Sequence, residues 1–377
     1  MRKPFFGVCI RQSQRCGGIT SWIVLMLGMI VFAIGCDQEA DNDEDISSVL
    51  SKVYVADEQG GTISVIDTAK NKTMATINLS VDSHGSTQKF SPHNVQAAPD
   101  GKSVWVTAPP GEGHAHEGGE AEQVIVIDPF KDKVKKRIAL GSDLHLAHVV
   151  IDSESRFAYV SANETSQVYQ LDAQSYEIAQ VFDLPTQSGP HGMRVCDGKL
   201  YIANLGAKGM SILDPATGDM VHIPLAGMAV QTACVPGTSY VFVSLYDTRE
   251  VIRYNTETQE VVRIALPEGA QGPIQMYPSP DGATMFVCDQ GLLLDRPASN
   301  KLYQVDVATA TVQTTIDVGT GAHGVVVSED GAWVYVTNTG EATVSVVDVA
   351  LGKTIAAIPV GKAPNGISHW HGTGGMP

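Results

Sequence analysis

The sequence predicts an all-β chain, a seven-bladed β-propeller of four-stranded antiparallel blades closed into a ring. Three observations carry the prediction: strands of four to six β-branched residues between Asp-Gly turns, recurrence of that unit along the chain, and an incomplete first unit matched by a surplus strand at the end. The clearest unit is Ala322 to Val360. Val325–Val327 runs into the turn Ser328-Glu329-Asp330-Gly331, and Trp333–Thr337, Val344–Asp348 and Ile355–Val360 follow across short polar turns. A single sheet with two apolar faces cannot bury both alone, so it needs neighbours of its own kind.

Neighbours are present. An Asp closing the third strand recurs at Asp67, Asp128, Asp172, Asp214, Asp306 and Asp348, with Asn255 in the remaining place, at a spacing of about 42 residues that two insertions stretch. Second strands recur as Val53–Val55, Val104–Val106, Ala158–Val160, Leu200–Ile202, Val241–Val243, Met285–Val287 and Val334–Val336. The first unit starts near Lys52 at its second strand. The segment Ala363–Ser368 reads as a first strand with nothing after it, so the C-terminus can complete the first blade and remove both open edges. The propeller therefore occupies residues 52–370, with 371–377 as a tail. The closing Asp series reads as a turn-capping feature.

Before the propeller, Arg2, Lys3, Arg11 and Arg15 precede the apolar run Trp22–Ile34, the pattern of a signal peptide over residues 1–35. Ala33-Ile34-Gly35-Cys36 is similar to a bacterial lipobox, which makes Cys36 the expected lipidation site. A retained signal-anchor helix is the alternative. Residues 36–51, rich in Asp and Glu, read as an acidic tether. The expected location is the bacterial cell envelope, on the periplasmic or extracellular side, with the membrane reached through Cys36.

The net charge is −16, and removal of residues 1–35 takes away four basic and no acidic groups, leaving −20. Nucleic acid is excluded as a partner, because its backbone demands Lys and Arg. A monomer with a protein partner or small ligand on the channel face is expected. Cys196, Cys234 and Cys288 remain after processing; a bridge between Cys196 and Cys234 is possible, but three buried thiols are the expectation. No CxxCH, Gly-x-Ser-x-Gly, P-loop or His-Glu-x-x-His pattern occurs.

In a propeller the first strand of each blade lines the channel. Aligning the seven units gives one residue at each strand entry: His93, His148, His191, Gln231, Gln275, His323 and Asn365. Four imidazoles suit copper, zinc or iron, with Gln231, Gln275 and Asn365 as further polar contacts to a bound group. His84, His145 and the loop residues His114 and His116 are placed by the alignment on the same face, so His114, His116 and His145 join the candidate ligands. His222 reads as a surface or packing residue, and His369 and His371 lie in the closing segment. The competing reading is structural, with each ring bonded to a neighbouring blade's backbone. The insertion Asp289–Asn300 carries Leu292-Leu293-Leu294 on that face, as a partner contact, a lid or packing.

Val334-Tyr335-Val336-Thr337-Asn338 matches the signature of the YVTN family of β-propellers, and drifted copies such as Tyr201-Ile202-Ala203-Asn204 recur from Lys52 to Trp370. The resemblance implies the propeller fold and little about activity. Similar chains are implied in surface-layer proteins, extracellular binding proteins, haem-d1-type reductase domains and lactonases. Lactonases of this kind use acidic channel residues, and the seven entries hold none. A ring of histidines also resembles nitrous oxide reductase, but three entries here are amides and no second copper domain follows. The expectation is a binding protein for a metal ion or metal-containing ligand; a metal- or haem-d1-dependent oxidoreductase or cofactor-insertion protein, and a pure interaction scaffold, are the alternatives.

Overall fold

The computed structural model describes residues 51–83, 86–112, 115–116, 120–372 and 374–375, all within one unit spanning Asp45–Pro377. The signal segment, Cys36, the tether up to residue 50, His84 and His114 lie outside the described residues, as does the side chain of His116.

Seven antiparallel sheets form the ring, and no helix occurs among the described residues. Blades 3 to 7 each take four consecutive strands, with inner strands Leu146–Ile151, Pro190–Cys196, Ala229–Cys234, Pro273–Pro278 and Ala322–Val327. Blade 2 starts at Val95–Ala97 and ends at Lys133–Gly141. Blade 1 is made from both ends of the chain: Pro364–His371 pairs antiparallel with Ser51–Asp57, followed outward by Thr62–Asp67 and Lys72–Asn78. The predicted closure is the one observed.

Burial explains the residue choice. Inner and second strands are covered on both faces by adjacent blades, so Ala322–Val327 is buried throughout and reads as a continuous apolar run. The outermost strands Thr311–Asp317 and Lys353–Pro359 alternate exposed and covered residues, because one of their faces meets water. Each closing acid caps its own turn. Asp67 Oδ1 accepts from the amides of Ala69 and Lys70, Asp172 Oδ1 from Gln174 and Ser175, and Asn255 Oδ1 from Glu257 and Thr258. The series is structural, as expected.

The ring seam is tied by polar groups. Lys52, fully buried, donates from Nζ to Asp132 Oδ2 and to the Pro129 carbonyl, both at 2.8 Å, joining blade 1 to blade 2. Trp370 Nε1 donates to the Gly101 carbonyl at 2.8 Å, and Ser368 Oγ accepts from the Ala97 amide. The thiol expectation is corrected here: Cys196 and Cys234 form a disulfide between the inner strands of blades 4 and 5, with Cα atoms 6.0 Å apart, while Cys288 is a buried free thiol. The bridge is the second reading of the sequence, and the sheet arrangement decides for it by bringing these strand ends within bridging distance.

Candidate functional site

The inner strands do more than line a channel. In six blades the ladder between inner and second strand shifts register at the entry residue, for example between Leu146 and Val149, Pro190 and Met193, and Ala322 and Val325. Two inner-strand residues thus oppose one second-strand residue, a bulge that turns the entry side chain out of the blade and towards the hub. The opposing residue is Thr337 in blade 7 and its counterpart in the other blades. Thr337 Oγ1 accepts from the Gly324 amide at 2.7 Å and donates to the Asn365 carbonyl of the next blade at 2.8 Å. Ser161 serves His148 and the His191 carbonyl, and Ser244 serves Gln231 and the Ile274 carbonyl. In blade 6 the same place holds Cys288, whose Sγ faces the Gly324 carbonyl at 3.8 Å. In blades 3, 5 and 7 a bulge and a hydroxyl together fix the entry residue against its neighbour blade. Glycine follows several entries because the next strand approaches closely: a Cβ on Gly366 would meet the Asn94 Cα at 2.7 Å.

Among the described residues, three of the four entry histidines converge. One ring nitrogen each of His93, His148 and His191 lies within 4.8 Å of the other two, and the ring centroids are 4.9 to 6.0 Å apart. These residues come from the consecutive blades 2, 3 and 4. His323, in blade 7, is buried at the hub but stands outside this group, because Asn365 separates it from His93 on one side and Gln231 and Gln275 separate it from His191 on the other. The expectation of four convergent imidazoles is thereby reduced to three. His145 is exposed on the rim near His191, its loop held by three successive amides, of Leu144, His145 and Leu146, donating to the buried Glu122 carboxylate at 2.7 to 2.8 Å. His222 sits on an outer strand against Asn204, and His369 is buried at the far end of the closing strand with Ser51.

The ring nitrogens are sorted by their partners. His93 Nδ1 donates to Glu58 Oε1 at 3.0 Å, and His191 Nδ1 donates to the Val230 carbonyl of the next blade at 3.0 Å. The second contact is the structural bond foreseen for these rings. Both bonds leave Nε2 with its lone pair available. His93 Nε2 and His148 Nδ1 are buried with no hydrogen-bond partner. Orphaned buried acceptors are costly unless something fills the space between them. Burial is the chief cause holding His148 well below the usual imidazole range and His191 down at about 3, with neighbouring histidines adding to it. Neutral rings are the form that binds metal.

Glu58 was not among the expected site residues. It follows the second strand of blade 1, is 7% exposed, and its other oxygen accepts from Asn365 Nδ2 at 2.9 Å. The seven entries are acid-free, as read, and the hub nonetheless holds a carboxylate. The carboxylate reaches the cluster from a loop that the entry alignment does not cover. Asn365 serves as a positioning amide for it, and the buried Gln275 forms part of the channel wall. Leu292, Leu293 and Leu294 are exposed, with Arg296 clamping their loop to the carbonyls of Tyr246, Asp247 and Gln271.

Three imidazoles around one point, with a carboxylate behind one of them, form a donor set that suits zinc, copper or iron.

No family model matches the chain, and no curated protein matches it by sequence. Solved structures share the fold. Virginiamycin B lyase from Staphylococcus aureus is 14% identical over 75% of this chain and 94% of its own, with a TM-score of 0.61. Apo AztD from Citrobacter koseri is 16% identical over 87% and 99%, with a TM-score of 0.55. The dihydro-heme d1 dehydrogenase NirN in complex with DHE is 14% identical over 85% and 75%, with a TM-score of 0.56. At these identities the likeness establishes the propeller architecture.

Proposed function

We propose that this chain is an exported, lipid-anchored binding protein of YVTN type that holds a transition metal, or a metal-containing ligand, on His93, His148 and His191. The observation that carries the proposal is the convergence of the three imidazoles, with His93 Nε2 and His148 Nδ1 orphaned and Nδ1 of His93 fixed by Glu58. Such a set leaves at least one coordination position open to an incoming group. A carboxylate behind a ligating imidazole fixes its tautomer and raises its basicity. The Cys196–Cys234 disulfide supports residence in an oxidising compartment, in keeping with a signal segment and acylation at Cys36. An open position also favours, as the second reading, ligand turnover by a metal- or haem-dependent oxidoreductase, a class to which NirN belongs.

The test is elemental analysis of the chain purified from its native compartment, beside a variant with His93, His148 and His191 all changed to Ala. About one metal per chain is expected, lost in the variant while the circular dichroism of the sheet survives. Sub-stoichiometric metal in both proteins would overturn the proposal. Visible absorbance that bleaches with a reductant would move the assignment to the oxidoreductase reading.

A further inference from the structure

The channel continues past the histidines. Arg194 lies three residues beyond His191 on the inner strand Pro190–Cys196, so it sits deeper, towards the opposite face. There it lines a cavity of about 330 Å³ together with Tyr277, Val235 and the disulfide Cys196–Cys234. Its Nη1 donates to the Met193 carbonyl at 3.0 Å. With the Gln231 amide oriented oxygen-first, Oε1 accepts from Nη1 and Nη2 at 3.2 and 3.3 Å. Gly192 makes room for that amide, since a Cβ there would lie 1.6 Å from its terminal atom.

These partners are all neutral. A guanidinium has five N–H donors in a fixed fork, and the contacts above occupy three of them. Among the described residues no carboxylate pairs with Arg194, in a chain carrying 41 Asp and Glu. Burial pulls its pKa down, and its charge is felt at His148. The guanidinium is half-buried, and among the described residues it has no counter-ion beside it. The fold nonetheless holds this cation beside an open cavity, on a rim stiffened by a disulfide.

We propose that the channel binds a small oxyanion or carboxylate ligand on the Arg194 guanidinium, entering from the face opposite the histidines. The fork geometry suits bidentate recognition of such groups, and the cavity volume limits the ligand to a small molecule. The Gln231 oxygen orients the fork, and Tyr277, whose phenol burial pushes up to about 12, stays neutral beside the anion. The site stands independently of metal at the hub.

The test is calorimetric titration of the full chain with sodium phosphate, succinate and citrate, the ionic strength being held with sodium chloride. Saturable binding of at least one anion is expected, weakened about ten- to a hundredfold by Arg194→Gln and retained by the triple histidine variant. That retention separates this site from the metal reading, whichever way the latter falls. Should Arg194→Gln fail to fold, phenylglyoxal labelling of the parent, mapped by peptide mass spectrometry, replaces it, with the bound anion protecting Arg194. Binding no tighter than chloride for all three anions, equal affinity in a folded Arg194→Gln, or equal labelling of Arg194 with and without anion would each overturn the proposal.

Discussion

Glu58→Gln is the substitution that most directly interrogates the hub. In the parent, Glu58 Oε1 accepts the Nδ1–H of His93 at 3.0 Å and Oε2 accepts an N–H of Asn365 at 2.9 Å. Glutamine keeps the shape but offers one acceptor for two donors. If its oxygen faces Asn365, its NH₂ faces His93 Nδ1, and the imidazole proton moves to Nε2, the nitrogen that is orphaned in the cluster. If its oxygen faces His93, the Asn365 amide meets another donor and the positioning contact is lost. Either way the ring loses a charge-assisted partner. Removing such a support behind a metal-ligating histidine costs typically 10- to 100-fold in affinity, or about 1.4–2.7 kcal/mol. The assay is competition for Zn²⁺ between the full chain and a chromophoric chelator, with His323→Gln as the matched control. The expected result is a loss in that range for Glu58→Gln and an affinity within about twofold of the parent for His323→Gln, which lies outside the cluster. A folded Glu58→Gln protein that binds zinc like the parent would refute the tautomer argument. An equal loss in His323→Gln would refute the assignment of three ligands.

Two predictions concern the frame that holds the site. Thr337→Val removes the hydroxyl between the Gly324 amide and the Asn365 carbonyl and leaves both buried groups unpaired. It should cost about 2–4 kcal/mol and roughly 3–6 °C in Tm, read by urea unfolding and calorimetry; a cost near zero would show that the hydroxyl does not join the blades. His369 is held down at about 4, chiefly by burial, with His371 adding and Asp330 opposing. Its folded pKa lies below its unfolded value, so the unfolded chain binds the extra proton first. Stability is full above about 6.5 and is lost as the pH falls towards 4, by about 2 kcal/mol at pH 5. Chelator-treated His369→Gln should lose correspondingly less between pH 7 and 5 in urea titrations, and an unchanged difference would contradict the burial argument.

The fold was legible because its signals are local and repeated. An Asp that caps a turn and a Thr that opposes a bulge act within one blade and its neighbour, so their spacing survives in the sequence; Asp172 and Thr337 do what their positions suggest. The entry histidines were legible for the same reason. Their convergence depends on which blades are adjacent: His93, His148 and His191 occupy consecutive blades, while His323 is separated from them by amides. Glu58 left no repeat signal, since it sits in a loop beside His93 only once the ring has closed. The disulfide was only partly legible, because 38 residues separate Cys196 from Cys234 along the chain and one blade interface separates them in space. Cys288, read simply as a buried thiol, proves to stand in the place that Thr337 takes in its own blade.

The closure seam and the candidate site are the same place, and this couples stability to occupancy. Glu58 arrives from the first described strand, Asn365 from the closing strand and His93 from blade 2. The Glu58 amide also donates to the Ala363 carbonyl, and the Gly366 amide to the His93 carbonyl, both at 3.1 Å. Detaching the closing strand from Ser51–Asp57 would therefore break the Glu58–Asn365 contact at the hub. A ligand that binds the closed hub and not the opened chain adds RT ln(1 + [L]/Kd) to the stability of closure, about 2.7 kcal/mol at a hundredfold excess over Kd. That gain adds to the Trp370–Gly101 and Ser368–Ala97 hydrogen bonds, which hold the closing strand to blade 2. A propeller closed by its two chain ends has one blade whose inner and second strands no turn connects, here Pro364–His371 and Ser51–Asp57. Placing Glu58 and Asn365 there makes the least continuous junction of the ring the one that a bound ligand reinforces.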